Sequence, residues 1–364
     1  MIKKLVLNLD YRIMRKNPRI EHYEASYGVD LSACNGGSRS NRAKPQAGKA
    51  NLARLVEAML KESNKFFVPD GKCPQFDLTQ RGELRFQSPM QTPYEVNNTV
   101  YAKYYPSDKK SKSRGAEGLG TYGTAAESRK VGKAIILVHQ RGGNMESLDA
   151  MAKIFAKLGI SALTMLMPYH GIRAPSGTKS GEFFTSANIK RTIDAFRQAV
   201  LEIHWATDWL QTLHSHIGIV GISLGGIVAT LACAHDDRLK TACICHSGAD
   251  LAAVTFRGIA TRKIKEAFLR IGITEEELRT YWKAIDPVNY IHKMKETDVL
   301  QLNTPQDTVF PLSCQKKLSL AFKKSNVKLK LSLFPFPCGH YSAGKYLLPK
   351  LYLLAKVFLF VNKT

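Results

Sequence analysis

The feature that most constrains the fold is an apolar run that ends in a glycine-flanked serine. Residues 217–222 are Ile-Gly-Ile-Val-Gly-Ile, Ser223 follows, and a second apolar run begins at Leu224. This order predicts a strand, a sharp turn and a helix. The serine backbone is strained in such a turn, and its closest neighbours must lack a Cβ. We expect these neighbours to be Gly221, Gly225 and Gly226.

From residue 134 onward, continuous apolar runs alternate with segments of helical periodicity. The most continuous runs lie at residues 134–138, 161–167, 217–222 and 241–245, and two further strands, which contain polar residues, are predicted at 298–302 and 327–334. Uninterrupted apolar strands separated by helices are typical of a mostly parallel sheet that helices cover on both faces. Two earlier segments, 84–94 and 98–106, alternate only in part and are bounded by prolines, which predicts edge strands.

The length of 364 residues favours one large α/β domain with extensions. We predict an N-terminal extension of unknown role at 1–83 and the main domain at 84–364. Within that domain, the polar, glycine-rich and basic stretch 107–133 predicts a flexible insertion. Residues 251–297 predict a helical excursion that could form a small cap.

The charge is strongly positive, with 53 Lys and Arg against 30 Asp and Glu. Such an excess suits nucleic acid, an anionic membrane surface or an acidic substrate. The excess is spread along the chain, whereas a nucleic-acid arm would concentrate it and interleave aromatic residues. We therefore expect a generally cationic surface and no specific nucleic-acid partner, and no protein partner can be inferred. The apolar, lysine-bearing end of the chain keeps a membrane surface possible.

Seven cysteines without Cys-x-x-Cys spacing indicate neither a zinc site nor a disulfide framework, and we predict no metal site. The apolar start of the chain is broken by Asn8, Asp10 and Arg12, which argues against a signal peptide. Residues 347–361 are apolar, but they are too few and too interrupted to span a bilayer. These observations favour a cytoplasmic location.

Three motifs together resemble the α/β-hydrolase superfamily over residues 84–361. They are the turn Gly221-Ile-Ser-Leu-Gly225, the acidic loop 303–311 and the late Cys338-Gly-His-Tyr341. The resemblance implies the α/β-hydrolase fold and a catalytic triad in the chain order serine, acid, histidine. It thereby assigns Ser223 as nucleophile, Asp307 as acid and His340 as base.

These residue types suit the chemistry for physical reasons. A serine hydroxyl becomes a good nucleophile when a neighbouring imidazole accepts its proton, and an acid orients that imidazole and stabilises its cation. Each candidate lies just beyond the carboxyl end of a predicted strand, where open α/β sheets bind ligands. Asp286 and Asp250 remain rivals for the acid role.

An oxyanion hole needs two aimed N–H donors. The amide of Leu224 supplies one by its position after the nucleophile. The second lies in the loop that follows residues 134–138, where the superfamily often has His-Gly-x and this chain has His-Gln-Arg. The donor is then the amide of Arg141 or Gln140. The side chain of Arg141 either meets an anionic substrate group or is simply solvated.

The loop after the strand predicted at 161–167 contains Pro168-Tyr-His-Gly-Ile-Arg173. This loop resembles a signature of a poorly characterised subfamily of abhydrolase-domain proteins. Tyr169, His170 and Arg173 are candidates for lining the substrate pocket, and a loop in which Gly171 and Pro175 simply shape a turn is the alternative.

The leading hypothesis is a serine hydrolase that cleaves a carboxylic ester or thioester through an acyl-enzyme on Ser223. It needs no cofactor, and its substrate would be a small-molecule or lipid acyl ester selected by the loop 169–186 and the predicted cap. One alternative is a catalytically inactive binding protein with the same fold. Another is a peripheral lipid deacylase at an anionic membrane surface.

Overall fold

The structure is a computed structural model that describes residues 2–16, 25–27, 45–107 and 132–364. The predicted insertion at 107–133 falls almost entirely outside these ranges. In the described part of the chain, nine strands form one sheet in the order β1-β2-β3-β5-β4-β6-β7-β8-β9. Strands β1 to β3 are antiparallel to their neighbours, and the strands from β5 across to β9 pair in parallel.

The strands have the following bounds: β1 Asp77–Leu78, β2 Glu83–Gln87, β3 Thr99–Tyr105, β4 Lys133–Val138, β5 Ser161–Met165, β6 His216–Ile222, β7 Leu239–Cys245, β8 Asp298–Asn303 and β9 Leu329–Leu333. The helices are α1 Ile2–Lys16, α2 Pro45–Lys61, α3 Ser63–Phe67, α4 Asp149–Lys157, α5 Ile189–Gln211, α6 Leu224–His235, α7 Leu251–Arg257, α8 Arg262–Arg270, α9 Glu275–Trp282, α10 Leu312–Lys324, α11 His340–Lys345 and α12 Leu347–Lys363. The predicted parallel sheet and its flanking helices are confirmed.

Helices cover both faces of the sheet, as the continuous apolar strands require. In β4, Ile136 packs into the larger core, to which α5, α6 and α10 contribute. Its neighbours Ile135 and Leu137 point to the opposite face and pack with α4 and α12. This two-sided burial explains why β4 lacks the alternation of a half-exposed strand.

The N-terminal segment shares the larger core with the rest of the chain. Leu52, Val56 and Met59 of α2 and Phe67 of α3 are buried there. Strand β1 and these helices thus belong to the same sheet and core as the residues after 84. The boundary predicted between residues 83 and 84 stays a prediction. The predicted excursion contains α7, α8 and α9, and its Phe268 and Tyr281 are buried in the same core. Its role as a cap remains a prediction.

Across the described ranges, no helix combines the length and the apolar character that crossing a bilayer requires.

Candidate active site

Ser223 lies at a strained turn between β6 and α6. Its backbone has φ 58° and ψ −117°, a conformation that residues with a side chain rarely adopt. A Cβ on Gly221 would lie 2.2 Å from the carbonyl oxygen of Gly225, and one on Gly225 would lie 2.3 Å from that of Val138. Such distances are far inside van der Waals contact, so the turn needs glycine at both positions.

The structure brings Ser223, His340 and Asp307 together in one hydrogen-bonded row. Nε2 of His340 lies 2.9 Å from Oγ of Ser223, and Nδ1 of the same ring lies 2.9 Å from Oδ2 of Asp307. The three residues are separated by up to 117 positions in sequence. They meet because β6, β8 and β9 are parallel and end at the same edge of the sheet.

The carboxylate of Asp307 is fixed from both sides. Its Oδ1 accepts the backbone N–H groups of Val309 at 2.8 Å and Phe310 at 2.7 Å, which leaves Oδ2 for the imidazole. The two rival acids have other partners. Asp250 accepts hydrogen bonds from Arg279 and Lys317, and Asp286 accepts the backbone N–H of Asp250. Of the three acids considered, Asp307 is the one hydrogen-bonded to His340.

Opposing effects set the pKa of His340. Burial lowers this pKa, but the negative charge and hydrogen bond of Asp307, with a further contribution from Asp10, outweigh burial and raise it above its ordinary value. A raised pKa makes the imidazole a stronger proton acceptor. It also means that the ring is protonated over a wider range of acidic pH.

The loop after β4 is held by a buried histidine. Nδ1 of His139 lies 2.8 Å from the carbonyl oxygen of Gln140, and Nε2 accepts the N–H of Met167 at 3.2 Å. Burial lowers the pKa of His139 to about 4, so the ring is neutral and carries its proton on Nδ1. The Gln140 carbonyl also accepts the N–H of Gly143 at 2.9 Å. Two donors thus fix the orientation of the peptide between Gln140 and Arg141.

Arg173 does not line a substrate pocket, which corrects the role predicted for it. The side chain is 0% exposed, and its guanidinium forms a two-pronged ion pair with Glu202, at 2.8 and 2.6 Å. The same guanidinium donates to the carbonyl oxygens of Leu166 and Asn97. An arginine so completely enclosed holds the chain together and cannot reach a substrate.

Tyr169 and His170 are also buried in the loop that precedes Arg173. Tyr169 has a φ of 60°, its N–H donates to Oδ1 of Asn97, and its ring packs edge-on against Phe183. His170 contacts the ring of His139 edge-on. These contacts hold both residues within the loop, and His170 also supports the loop that carries Gln140 and Arg141. A contact of either residue with substrate stays a prediction.

A second histidine near Asp307 escaped the sequence analysis. His246 follows β7, and its Nδ1 lies 4.0 Å from Oδ2 of Asp307, with its ring centroid 5.9 Å from that of His340. Burial, together with the neighbouring His340, lowers the pKa of His246 to about 4, so this ring adds no charge. Its position just beyond a buried strand was the available sequence signal. Within the described ranges, no three histidine, cysteine or carboxylate side chains cluster as a metal site would require.

The sequence pattern of the dienelactone hydrolase family matches residues 121–340. This chain belongs to the dienelactone hydrolase family. The matched residues of this dienelactone hydrolase family member include Ser223 and Asp307 and end at His340. The hydrolase region of the chain therefore lies within residues 121–340, and helices α1 to α3 and α12 lie outside it.

Comparisons with individual proteins agree with the fold of the dienelactone hydrolase family. An acetyl xylan esterase from Paenibacillus sp. R4 has a TM-score of 0.55 at 15% identity, covering 91% of this chain and 99% of that one. The acylaminoacyl peptidase of Pyrococcus horikoshii has a TM-score of 0.51 at 16% identity, covering 80% of this chain and 41% of that one.

One further relative is similar in sequence to this chain over a short segment. An uncharacterized protein of Mycobacterium tuberculosis strain H37Rv is 31% identical over 101 residues, which are 27% of this chain. This member of the dienelactone hydrolase family thus matches 24% of the length of that relative.

Proposed function

We propose that the chain is a serine hydrolase that cleaves a carboxylic ester or thioester through an acyl-enzyme on Ser223. The observation that carries the proposal is the row Ser223, His340 and Asp307, with 2.9 Å at each of its two contacts. Membership in the dienelactone hydrolase family supports ester cleavage, because a lactone is a cyclic ester.

In the first half of the reaction, Oγ of Ser223 attacks the carbonyl carbon while Nε2 of His340 takes the hydroxyl proton. Asp307 stabilises the imidazolium that results. When the tetrahedral intermediate collapses, the bond to the leaving alcohol or thiol breaks and the leaving group takes the proton from His340. A water molecule then attacks the acyl-enzyme, and the same ring accepts the water's proton and returns it to Ser223.

Two backbone amides serve as the oxyanion hole. Leu224 is the first residue of α6, so its N–H has no acceptor within the helix. The second donor is the amide of Arg141, because the Gln140 carbonyl is bound by His139 and Gly143, and a planar trans peptide directs its N–H to the opposite side. The close approach of Gly225 to Val138 brings this loop beside the turn of Ser223.

A fluorophosphonate probe tests the proposal directly, since it forms an adduct only with an activated serine. We expect stoichiometric labelling of the wild-type protein and none of Ser223→Ala. Ser313→Ala, which changes an exposed serine on α10, is the matched control and should label like the wild type. No adduct on the folded wild type, or an equal adduct on Ser223→Ala, would indicate a binding protein that has the fold without the activity.

A second candidate function, deacylation of lipid at an anionic membrane surface, is favoured by the surface of α11 and α12. Residues 340–363 contain four lysines and no acidic residue. Leu347 and Leu348 are 68% and 64% exposed, next to the exposed Lys345 and Lys350. Exposed leucines flanked by lysines suit insertion at the boundary of headgroups and acyl chains. Helix α11 begins at His340, whose Nε2 lies 2.9 Å from Oγ of Ser223, so this surface adjoins the candidate active site along the chain.

Co-sedimentation with vesicles distinguishes this second function from hydrolysis of a soluble ester. We expect binding to phosphatidylserine-containing vesicles that weakens at physiological salt, and little binding to phosphatidylcholine alone. Replacing Lys345 and Lys350 with alanine should weaken binding about 30-fold, since each lysine near an anionic surface contributes about 1 kcal/mol. Leu320→Ser, a change to an exposed leucine on α10, is the control. Failure to bind either vesicle would exclude the membrane surface as the site of action.

A further inference from the structure

Asp10 is a fully buried carboxylate on the N-terminal helix α1, a segment for which the sequence suggested no role. Its side chain accepts three hydrogen bonds. Oδ2 accepts the hydroxyl of Thr308 at 2.6 Å and the N–H of Tyr341 at 3.3 Å, and Oδ1 accepts the N–H of Ser342 at 2.9 Å. These partners are about 300 residues away in sequence.

The partners of Asp10 belong to the two loops that carry the acid and the base. Thr308 directly follows Asp307, and the two amides directly follow His340. Those amides lie in the first turn of α11, where N–H groups have no acceptor within their own helix. One carboxylate on α1 therefore satisfies the first turn of α11 and also binds the neighbouring acid loop.

The contact between α1 and the His340 loop leaves no spare space. A Cβ on Gly339 would lie 2.3 Å from Oδ2 of Asp10 and 2.8 Å from Cγ1 of Val6. Val6 and Asp10 are the buried residues of α1 among those whose burial is described. The helix is thus fastened at the point where it meets the candidate active site, while most of its remaining surface is exposed.

We propose that Asp10 is a positioning residue, which ties the Asp307 loop to the His340 loop so that the imidazole stays aligned with Ser223. The proposal rests on the proposed function for the meaning of that alignment. It goes beyond the family pattern, because α1 lies outside the matched residues 121–340. Small displacements of a general base are costly: about 1 Å can reduce a rate about 100-fold.

The charge of Asp10 supports the same role. Four groups that can carry charge or hydrogen-bond surround the His340 ring: Asp307, His246, Tyr341 and Ser223, with Asp10 behind the first turn of α11. Of these, His246 is neutral. Asp10 contributes to raising the pKa of His340, so removing its charge lowers that pKa. The acidic limb of kcat/KM then moves to lower pH, because His340 must be unprotonated to accept the serine proton.

The test replaces Asp10 with asparagine, which preserves shape and removes charge. We expect kcat to fall about 10-fold with KM unchanged, because Asp10 lies behind the two loops and not in the row of reacting groups. The pKa of His340, followed by NMR and assigned with His340→Gln, should fall as well. Asn8→Ala, on an exposed position of α1, is the control and should change neither quantity.

A second pair of variants addresses the acid loop without disturbing α1. Thr308→Val removes the hydroxyl donated to Asp10 and should lower kcat about threefold, whereas Thr308→Ser keeps the donor and should restore it. An Asp10→Asn protein with kcat within twofold of wild type, or with an unmoved His340 pKa, would overturn the proposal. The NMR measurement applies even if the protein hydrolyses no ester, so a failure of the proposed function would show separately in the probe labelling of Ser223.

Discussion

Replacing Asp307 with asparagine should lower kcat about 10⁴-fold while leaving KM nearly unchanged. The reason lies in the donors around the side chain. Oδ1 of Asp307 accepts two backbone N–H groups, so the oxygen of an asparagine amide must take that side. The NH₂ group then faces Nδ1 of His340 and donates to it. The imidazole proton moves to Nε2, and Nε2 can no longer accept the proton of Ser223.

Steady-state kinetics on an activated ester across a range of pH measures this effect. Asp307 also raises the pKa of His340, so whatever activity persists in the variant should extend to lower pH than in the wild type. Asp286→Asn is the control, because the side chain of this rival acid is also largely buried and hydrogen-bonds elsewhere. It should retain kcat within a few-fold. Near-normal activity of Asp307→Asn, or a large loss in Asp286→Asn, would reassign the acid.

The sheet could be predicted from local sequence patterns, and the resemblance to the α/β-hydrolase superfamily assigned the three central side chains. Apolar strands mark the parallel sheet, and the carboxyl ends of parallel strands meet at one edge, so residues just beyond them converge. The glycines around Ser223 could also be predicted to be required, because the turn has no room for side chains at their positions. A Cβ on Gly221 or Gly225 would collide with backbone, and one on Gly226 would lie 2.6 Å from Cβ of Ser247.

The support around these side chains could not be predicted, since it depends on pairings between distant residues. The helix that contains Glu202 has an apolar pattern that indicates a buried face, but no pattern in one sequence tells which buried acid meets which arginine. Asp10 is a sharper case. Its partner Tyr341 is 331 residues away, and in sequence Asp10 merely interrupted an apolar start. His246 was missed because a histidine after a strand has no distinguishing neighbours.

The error over Arg173 has the same origin and leads to a testable difference. Its place in a loop beyond β5, at the edge of the sheet where substrates bind, made this residue a candidate for lining the substrate pocket. In the fold, its side chain turns inward and meets Glu202. Glu202 in turn accepts hydrogen bonds from Ser88 and Gln198. The predicted substrate role and the observed structural role imply opposite effects of mutation.

Arg173→Met should therefore destabilise the fold by about 3–5 kcal/mol, because it leaves the carboxylate of Glu202 buried without a cation. Urea denaturation measures this loss. Replacing both partners with methionine should cost less than the sum of the single changes, since no charge is left unpaired. Arg262→Met is the matched control. It breaks the exposed Arg262–Glu266 pair and should cost less than about 1 kcal/mol.

The opposite result would restore the substrate role. If Arg173 contacted substrate, Arg173→Met would unfold at the wild-type urea concentration and would raise KM for anionic esters more than for neutral ones. The structure predicts the reverse: a lower unfolding midpoint, with equal changes in KM for both kinds of ester. Asn97 belongs to the same network, and its Oδ1 accepts the backbone N–H of Tyr169. Losing the network should therefore also loosen the loop that follows β5. Any effect on turnover would then follow the loss of stability, and recover when the protein is assayed at lower temperature.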